Sequence, residues 1–300
     1  VKILNMEDKK DYKVVFDNIV EDLRQYVIKN KLKSMVLGIS GGVDSTVCAA
    51  ICHEVSKKTG VPLIGRSLTI KNKDDETSTA KLVGEAFCNE FEDFKLIGLF
   101  HYVADTLRFF EQDNYKEKWT NPIADGNIQA RLRMIYLYHL TGITNGFVID
   151  SDNKTENLLG FWTICGDVGD YKPIGNLWKT EVYGLAKYLE EKYKYNHDMK
   201  VVAVNQSIGL TPTDGLGISS SDLEQIGANS YEEVDEILKG LLASFGEQHN
   251  ENRLDIDSII KAFKETYNGS IDKDVVDKVC ERYRKSNFKR LPKPIAKIKL

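Results

Sequence analysis

The chain has no C-x-x-C pair, and its five cysteines (Cys48, Cys52, Cys88, Cys165 and Cys280) are odd in number and scattered. That excludes a disulfide framework and a zinc ribbon, and leaves buried apolar packing as the ordinary role of a free thiol. The five histidines (His53, His101, His139, His197 and His249) lack metal-ligand spacing. None is read as a ligand. With no internal repeat and only six prolines in 300 residues, nothing marks a linker between separate domains. No apolar run approaches the roughly 18 residues needed to cross a bilayer, and Val1-Lys2-Ile3-Leu4-Asn5 lacks a signal-peptide core. A cytoplasmic protein with no membrane partner is expected. Positive charge is also not in excess: 41 Lys and Arg against 45 Asp and Glu give a formal charge of −4. A nucleic-acid partner is therefore not expected, although a local basic pocket is still allowed.

Apolar residues make up 42% and charged residues 29%, ordinary usage for a soluble globular chain of one large domain or two. Val14, Val15, Ile19, Leu23 and Val27 recur at helical spacing between Asp11 and Lys31. The apolar run Met35-Val36-Leu37-Gly38-Ile39 then breaks off in Ser40-Gly41-Gly42, after which Val43, Val47, Ala50, Ile51 and Val55 return to helical spacing. This reads as buried strand, glycine turn, helix. A strand is expected at Leu63–Ile70, followed by a polar loop (Lys71–Asp75) and a helix ending near Phe91. Further strands are expected at Lys95–Leu99 and Phe147–Ile149. Strands alternating with helices predict a doubly wound, mostly parallel α/β sheet with helices on both faces. Beyond a Thr-, Gly- and Ser-rich stretch at 211–221, helices are expected near Tyr231–Leu242, Asp255–Tyr267 and Asp272–Lys285. The economical organisation is a single domain over 1–300, with an α/β core at 1–210 and a loop, helices and basic tail at 211–300.

Chemistry concentrates in Gly38-Ile39-Ser40-Gly41-Gly42-Val43-Asp44-Ser45. A glycine pair between strand and helix lets the backbone turn tightly and approach a ligand. Successive N–H groups and the helix start then attract an anion, and Ser40 and Ser45 add donors. An acid in such a nest, Asp44, calls for a bridging cation such as Mg²⁺. A plain capped strand-to-helix turn would explain a glycine pair alone. It does not explain two serines, two glycines and an acid in six positions. The spacing fits neither G-x-x-x-x-G-K-[ST] nor G-x-G-x-x-G.

Ser40-Gly41-Gly42-Val43-Asp44-Ser45 resembles the S-G-G-x-D-S loop of the ATP pyrophosphatases, which share the adenine nucleotide alpha hydrolase-like fold. Four later segments resemble the NAD synthetases within that superfamily. They are Asn127-Ile128-Gln129-Ala130-Arg131-Leu132-Arg133-Met134, Ser151-Asp152-Asn153-Lys154-Thr155-Glu156, Gly166–Asp170 running into Pro173–Thr180, and Pro212–Leu216 with Phe288-Lys289-Arg290. Two departures stand out: Ile164 where many ammonia-dependent members have lysine, and Phe288 where the closing motif often has histidine.

The resemblance implies a ligase that amidates deamido-NAD with ammonia through an adenylated nicotinate, releasing AMP and pyrophosphate. It implies ATP as co-substrate, Mg²⁺ on Asp44 and Glu156, and an electrostatic core of Asp44, Glu156 and Lys179. ATP contacts would come from Gly38, Ile39, Ser40, Gly41, Gly42, Val43, Asp44, Ser45, Arg66, Ser151, Lys179 and Thr213. Deamido-NAD contacts would come from Asn127, Arg131, Asp167, Asp170, Phe288 and Lys289. A homodimer, with the Asn127–Gly142 helix at its interface and Ile128, Leu132 and Ile135 facing inward, is also implied. A separate glutaminase stays open as an ammonia source. So do two other readings, another ATP pyrophosphatase (a GMP synthetase-like amidotransferase or a tRNA thiolase) and a non-catalytic nucleotide-binding homologue.

Overall fold

A computed structural model describes residues 10–110, 121–166, 168–194, 199–213, 221–244 and 256–290. The first part runs α1 (Tyr12–Lys29), β1 (Met35–Gly38), α2 (Val43–Thr59), β2 (Leu63–Thr69), α3 (Asp74–Phe87), β3 (Glu90–Lys95) and α4 (Ile97–Phe110). It continues with α5 (Pro122–Thr144), β4 (Phe147–Ile149), α6 (Lys154–Leu159), α7 (Lys179–Tyr193) and α8 (Met199–Gly209). The remaining helices are α9 (Asp222–Ile226), α10 (Tyr231–Ser244), α11 (Ile256–Thr266) and α12 (Lys273–Arg290).

The four strands pair in parallel in the order β3-β2-β1-β4, with Met35 opposite Leu63 on one side and Phe147 on the other. Side chains alternate across a strand, and the two faces of this sheet separate accordingly. Met35, Leu37, Phe147 and Ile149 pack into the large cluster with α1, α2, α7 and α8. Val36, Ile64, Leu68 and Val148 point the other way, onto Leu137 and Met134 of α5. Helices therefore cover both faces, as a sheet with both sides buried requires. A second apolar cluster joins α10, α11 and α12 and closes on Leu158, Leu159 and Trp178. No helix among the described residues is long and apolar enough to cross a membrane.

The expected strands at Leu63 and Phe147 and the three C-terminal helices are present within a few residues of their expected bounds. Two expectations fail at the sheet edge. The helix read as ending near Phe91 stops at Phe87, and Glu90–Lys95 is strand β3. The expected strand at Lys95–Leu99 is instead the entry to helix α4. Ile135, expected inward, is 66% exposed, whereas Leu132 is buried.

Candidate active site

The order β3-β2-β1-β4 places the direction change between β1 and β4. In an open α/β sheet the crevice beyond the carboxyl ends of such strands receives ligands. The loops after β1 and β4 meet there, beside a cavity of about 600 Å³ lined by both.

The β1 loop is held open by its own bonds. Ser40 Oγ lies 3.0 Å from Ser45 Oγ and accepts from the Gly42 amide at 3.2 Å, while Ser45 and Thr46 hydroxyls donate to the Gly42 carbonyl. Gly42 is the N-cap of α2 and places no side chain over the first-turn amides. An uncapped helix start lined with hydroxyls is an anion site. Gly41 has φ +88°, and a Cβ there would lie 2.6 Å from the Glu76 carbonyl oxygen and 2.8 Å from the Ala80 nitrogen. Only glycine lets the loop rest against α3 in this way.

Across the cavity, Lys179 is the first residue of α7 and one of the largest fully buried side chains. Its ammonium donates to Asp44 Oδ2 at 2.5 Å and Glu156 Oε1 at 2.9 Å. Burial alone would drive this amine towards neutrality, but the two carboxylates hold it well above its usual range. Burial first, and the charge of Asp44 second, push the Glu156 carboxyl up to about 7, against the pull of Lys179. Asn153 organises the pair. Its side chain caps α6 by accepting from the Glu156 amide at 3.0 Å and donates to Asp44 Oδ1 at 2.8 Å, while Glu156 Oε2 accepts from the Asn153 amide at 3.2 Å.

Two further charged groups flank this centre. Lys172 bridges Asp152 at 2.8 Å and the fully buried Asp150 at 3.2 Å. On the opposite wall, Arg133 donates to the Leu68 carbonyl and to Asn72, Asn72 donates to Glu76, and Thr213 donates to Glu76 at 3.1 Å. Arg66 lies along the same wall, ion-paired with Glu90.

The cavity brings together Gly38, Ile39, Ser40, Gly42, Val43, Asp44, Arg66, Asn127, Ser151, Glu156, Lys179, Thr213 and Lys289. Gly41 and Ser45 shape the loop from behind. Asp167 lies outside the described residues. Asp170 is exposed and does not line the cavity; its carboxylate accepts from Tyr138 Oη at 3.0 Å and the Val148 amide at 2.9 Å. Arg131 is exposed and donates to the Ile164 carbonyl, and Phe288 is 55% exposed. Lys289 does more than line the cavity, because it donates to the carbonyls of Gly160 and Trp162 just past α6. Arg290 donates to the Leu158 carbonyl at 2.6 Å. Arg290 thus occupies a C-terminal carbonyl of the helix that carries Glu156, and Lys289 binds the turn that follows it.

A parallel sheet whose switch point carries a hydroxyl-lined anion loop, two convergent acids and a buried lysine defines a nucleotide-binding α/β protein built to handle phosphate. The comparisons narrow the class. The chain belongs to the NAD synthase family, whose model matches residues 15–293. It is 30% identical over 288 residues to the NH3-dependent NAD+ synthetase of Fusobacterium nucleatum, covering 96% of both chains. Identity to the enzyme of the same name from Methanocaldococcus jannaschii is 32% over 228 residues, 75% of this chain and 80% of that one. Among solved structures, NMN synthetase from Francisella tularensis superposes with a TM-score of 0.73 at 23% identity, covering 96% of this chain and 100% of that one. The NH3-dependent NAD synthetase from Campylobacter jejuni gives 0.63 at 24%, with the same coverage. At these identities the two structures speak for the fold alone.

Proposed function

We propose that this chain is a ligase that converts deamido-NAD to NAD, using ATP to activate the nicotinate carboxylate and ammonia to displace AMP. A carboxylate oxygen attacks the α-phosphorus of ATP, and the bond from that phosphorus to the pyrophosphate oxygen breaks. The ammonia lone pair then attacks the acyl carbon of the adenylate. AMP departs with the carbon–oxygen electron pair, and the nitrogen loses a proton to give the amide.

The observation that carries the reading is the Lys179 ammonium held between Asp44 and Glu156 facing an uncapped, hydroxyl-lined helix start. The protein's task is to position the reactants and neutralise the departing pyrophosphate. The α2 amides with Ser40 bind phosphate oxygens, Ser45 holds the loop from behind, and Lys179 supplies positive charge without a proton transfer. Asp44 and Glu156 are two hard oxygen donors from different elements, and no group of three or more metal-ligating side chains occurs among the described residues. Such a two-carboxylate set fits Mg²⁺, which takes the rest of its ligands from water and phosphates. When bound, Mg²⁺ supplies charge neutralisation on the phosphates.

Ammonium, ATP, Mg²⁺ and deamido-NAD should together yield stoichiometric AMP, pyrophosphate and NAD. Pyrophosphate release independent of deamido-NAD, or glutamine serving equally well without a second protein, would count against the reading. Asp44→Asn removes one charge while keeping the shape. It should bind ATP but lower the pyrophosphate release rate about 100-fold or more, the scale of losing one electrostatic stabiliser. Wild-type turnover in that variant would refute the role.

A homodimer is part of this proposal. Leu99, Tyr102, Leu107, Phe109 and Phe110 of α4 and Ile123, Ile135 and Ile143 of α5 are exposed, a set of surface apolar groups that a second copy would cover. Arg131 is one turn before Ile135 on α5 and so shares its face, where it would meet the dinucleotide at the joint between copies. Sedimentation equilibrium should give twice the 34.0 kDa chain mass.

A further inference from the structure

Lys179 and Glu156 belong to different helices, α7 and α6, and a third helix sets their relative position. Asp235 of α10 is 1% exposed, although an aspartate is rarely buried without partners. One oxygen, Oδ1, accepts from the Thr155 hydroxyl at 2.5 Å. The other, Oδ2, accepts from both the Thr180 amide at 3.0 Å and the Thr180 hydroxyl at 2.8 Å. Thr155 completes the circuit, because its oxygen accepts from the Lys179 amide at 2.9 Å. The first two amides of α7 are therefore satisfied by a carboxylate and a hydroxyl from two other elements. The N-cap of α7 is Trp178, whose side chain makes no cap bond to the backbone. Burial raises the Asp235 carboxyl and the two threonines hold it back, as a negative group at a helix start should be held. One turn before Asp235 on the same helix, Tyr231 sets its ring 5.4 Å from the Lys179 ammonium.

We infer that the Thr155–Asp235 pair is a positioning device for the reaction. It locks the helix of Glu156 and the helix of Lys179 in one register, so the ammonium meets both carboxylates. Neither residue lines the cavity. The inference rests on the adenylation reading above for its kinetic consequence, and on the geometry alone for its structural one.

The test pairs kinetics with amide exchange. Thr155→Val keeps volume and removes the hydroxyl, Thr155→Ser keeps the hydroxyl, and Asp235→Asn keeps shape and removes the charge. Thr155→Val should lower kcat for deamido-NAD-dependent pyrophosphate release at least tenfold, with KM for ATP within threefold. Thr155→Ser should recover to within threefold of wild type. Amide exchange over residues 177–182 should accelerate in Thr155→Val and Asp235→Asn while the sheet amides stay protected. A folded Thr155→Val with kcat within twofold of wild type, a KM effect alone, or no rescue by serine would overturn the inference. So would unchanged exchange at the start of α7. If wild type fails to act on deamido-NAD yet the exchange change appears, the substrate reading fails and the positioning role stands.

Discussion

Lys179→Met is expected to remove pyrophosphate release almost entirely, lowering kcat by about 100- to 1,000-fold, and to weaken the ligand-free fold. The two effects have one origin. Asp44 and Glu156 converge on an ammonium whose side chain is 2% exposed. Removing that cation leaves two carboxylates, 16% and 17% exposed, facing each other without a counter-charge. Breaking a buried ionic group in this way costs about 3–5 kcal/mol, while losing one preorganised charge at a reacting group costs about 10²–10³ in rate. Lys179→Arg should not rescue, because the planar guanidinium does not fit a slot shaped round a compact ammonium. Urea unfolding and a pyrophosphate assay at saturating ATP read the two effects separately. Turnover within threefold of wild type in Lys179→Met would refute the assignment.

Gly41→Ala is expected to lose ATP binding by at least about 100-fold and to cost stability. At φ +88° any side chain is strained, by about 1–3 kcal/mol. The added Cβ also meets backbone atoms of Glu76 and Ala80 rather than the end of a flexible side chain. Because those atoms belong to α3, the loop must move, and its amides leave the places where phosphate oxygens would bind. Gly60→Ala is the control, since Gly60 has φ +72° but nothing within 4 Å of an added Cβ. It should show only a backbone cost of about 1 kcal/mol, with ATP affinity unchanged by calorimetry. Equal ATP affinity in both variants would mean that the loop does not hold phosphate.

The strand, glycine turn and helix from Met35 to Thr59 were legible because burial on both faces writes a continuous apolar run, and punctuation by glycine is local. The C-terminal helices were legible for the same reason, each with an apolar stripe at helical spacing. The sheet edge was not. Glu90-Phe91-Glu92-Asp93-Phe94-Lys95 is mostly exposed and charged, and its two phenylalanines stand three apart, a spacing that mimics a helix although the strand packs Phe91 on Gly84 and Phe94 on Tyr136. Ile135 reads as a core residue because an exposed apolar position on a helix has the same periodicity as one that faces the interior.

Motifs point to the Ser40–Ser45 loop, Asp44, Glu156 and Lys179, and the fold brings these residues together. Arg133, Asn153, Lys172 and Asp235 were missed as parts of the site. Their partners are distant in the chain: Arg133 reaches Leu68 and Asn72, and Asn153 reaches Asp44. One local signal for Asp235 existed. It is an acid on the same helical stripe as the buried Val234, Leu238 and Leu241, where a charge needs a reason to be. Lys289, expected to contact substrate, also ties down the turn after α6.

Helix α6 has six residues, too few to persist alone in water. Its start is tied through Thr155 to a carboxylate 80 positions later, and its end to an arginine 132 positions beyond Leu158. During synthesis, every acid and lysine of the centre is made long before the segments that align them arrive. An emerging chain therefore lacks the bonds that fix the two ends of α6 until α10 and α12 have been made.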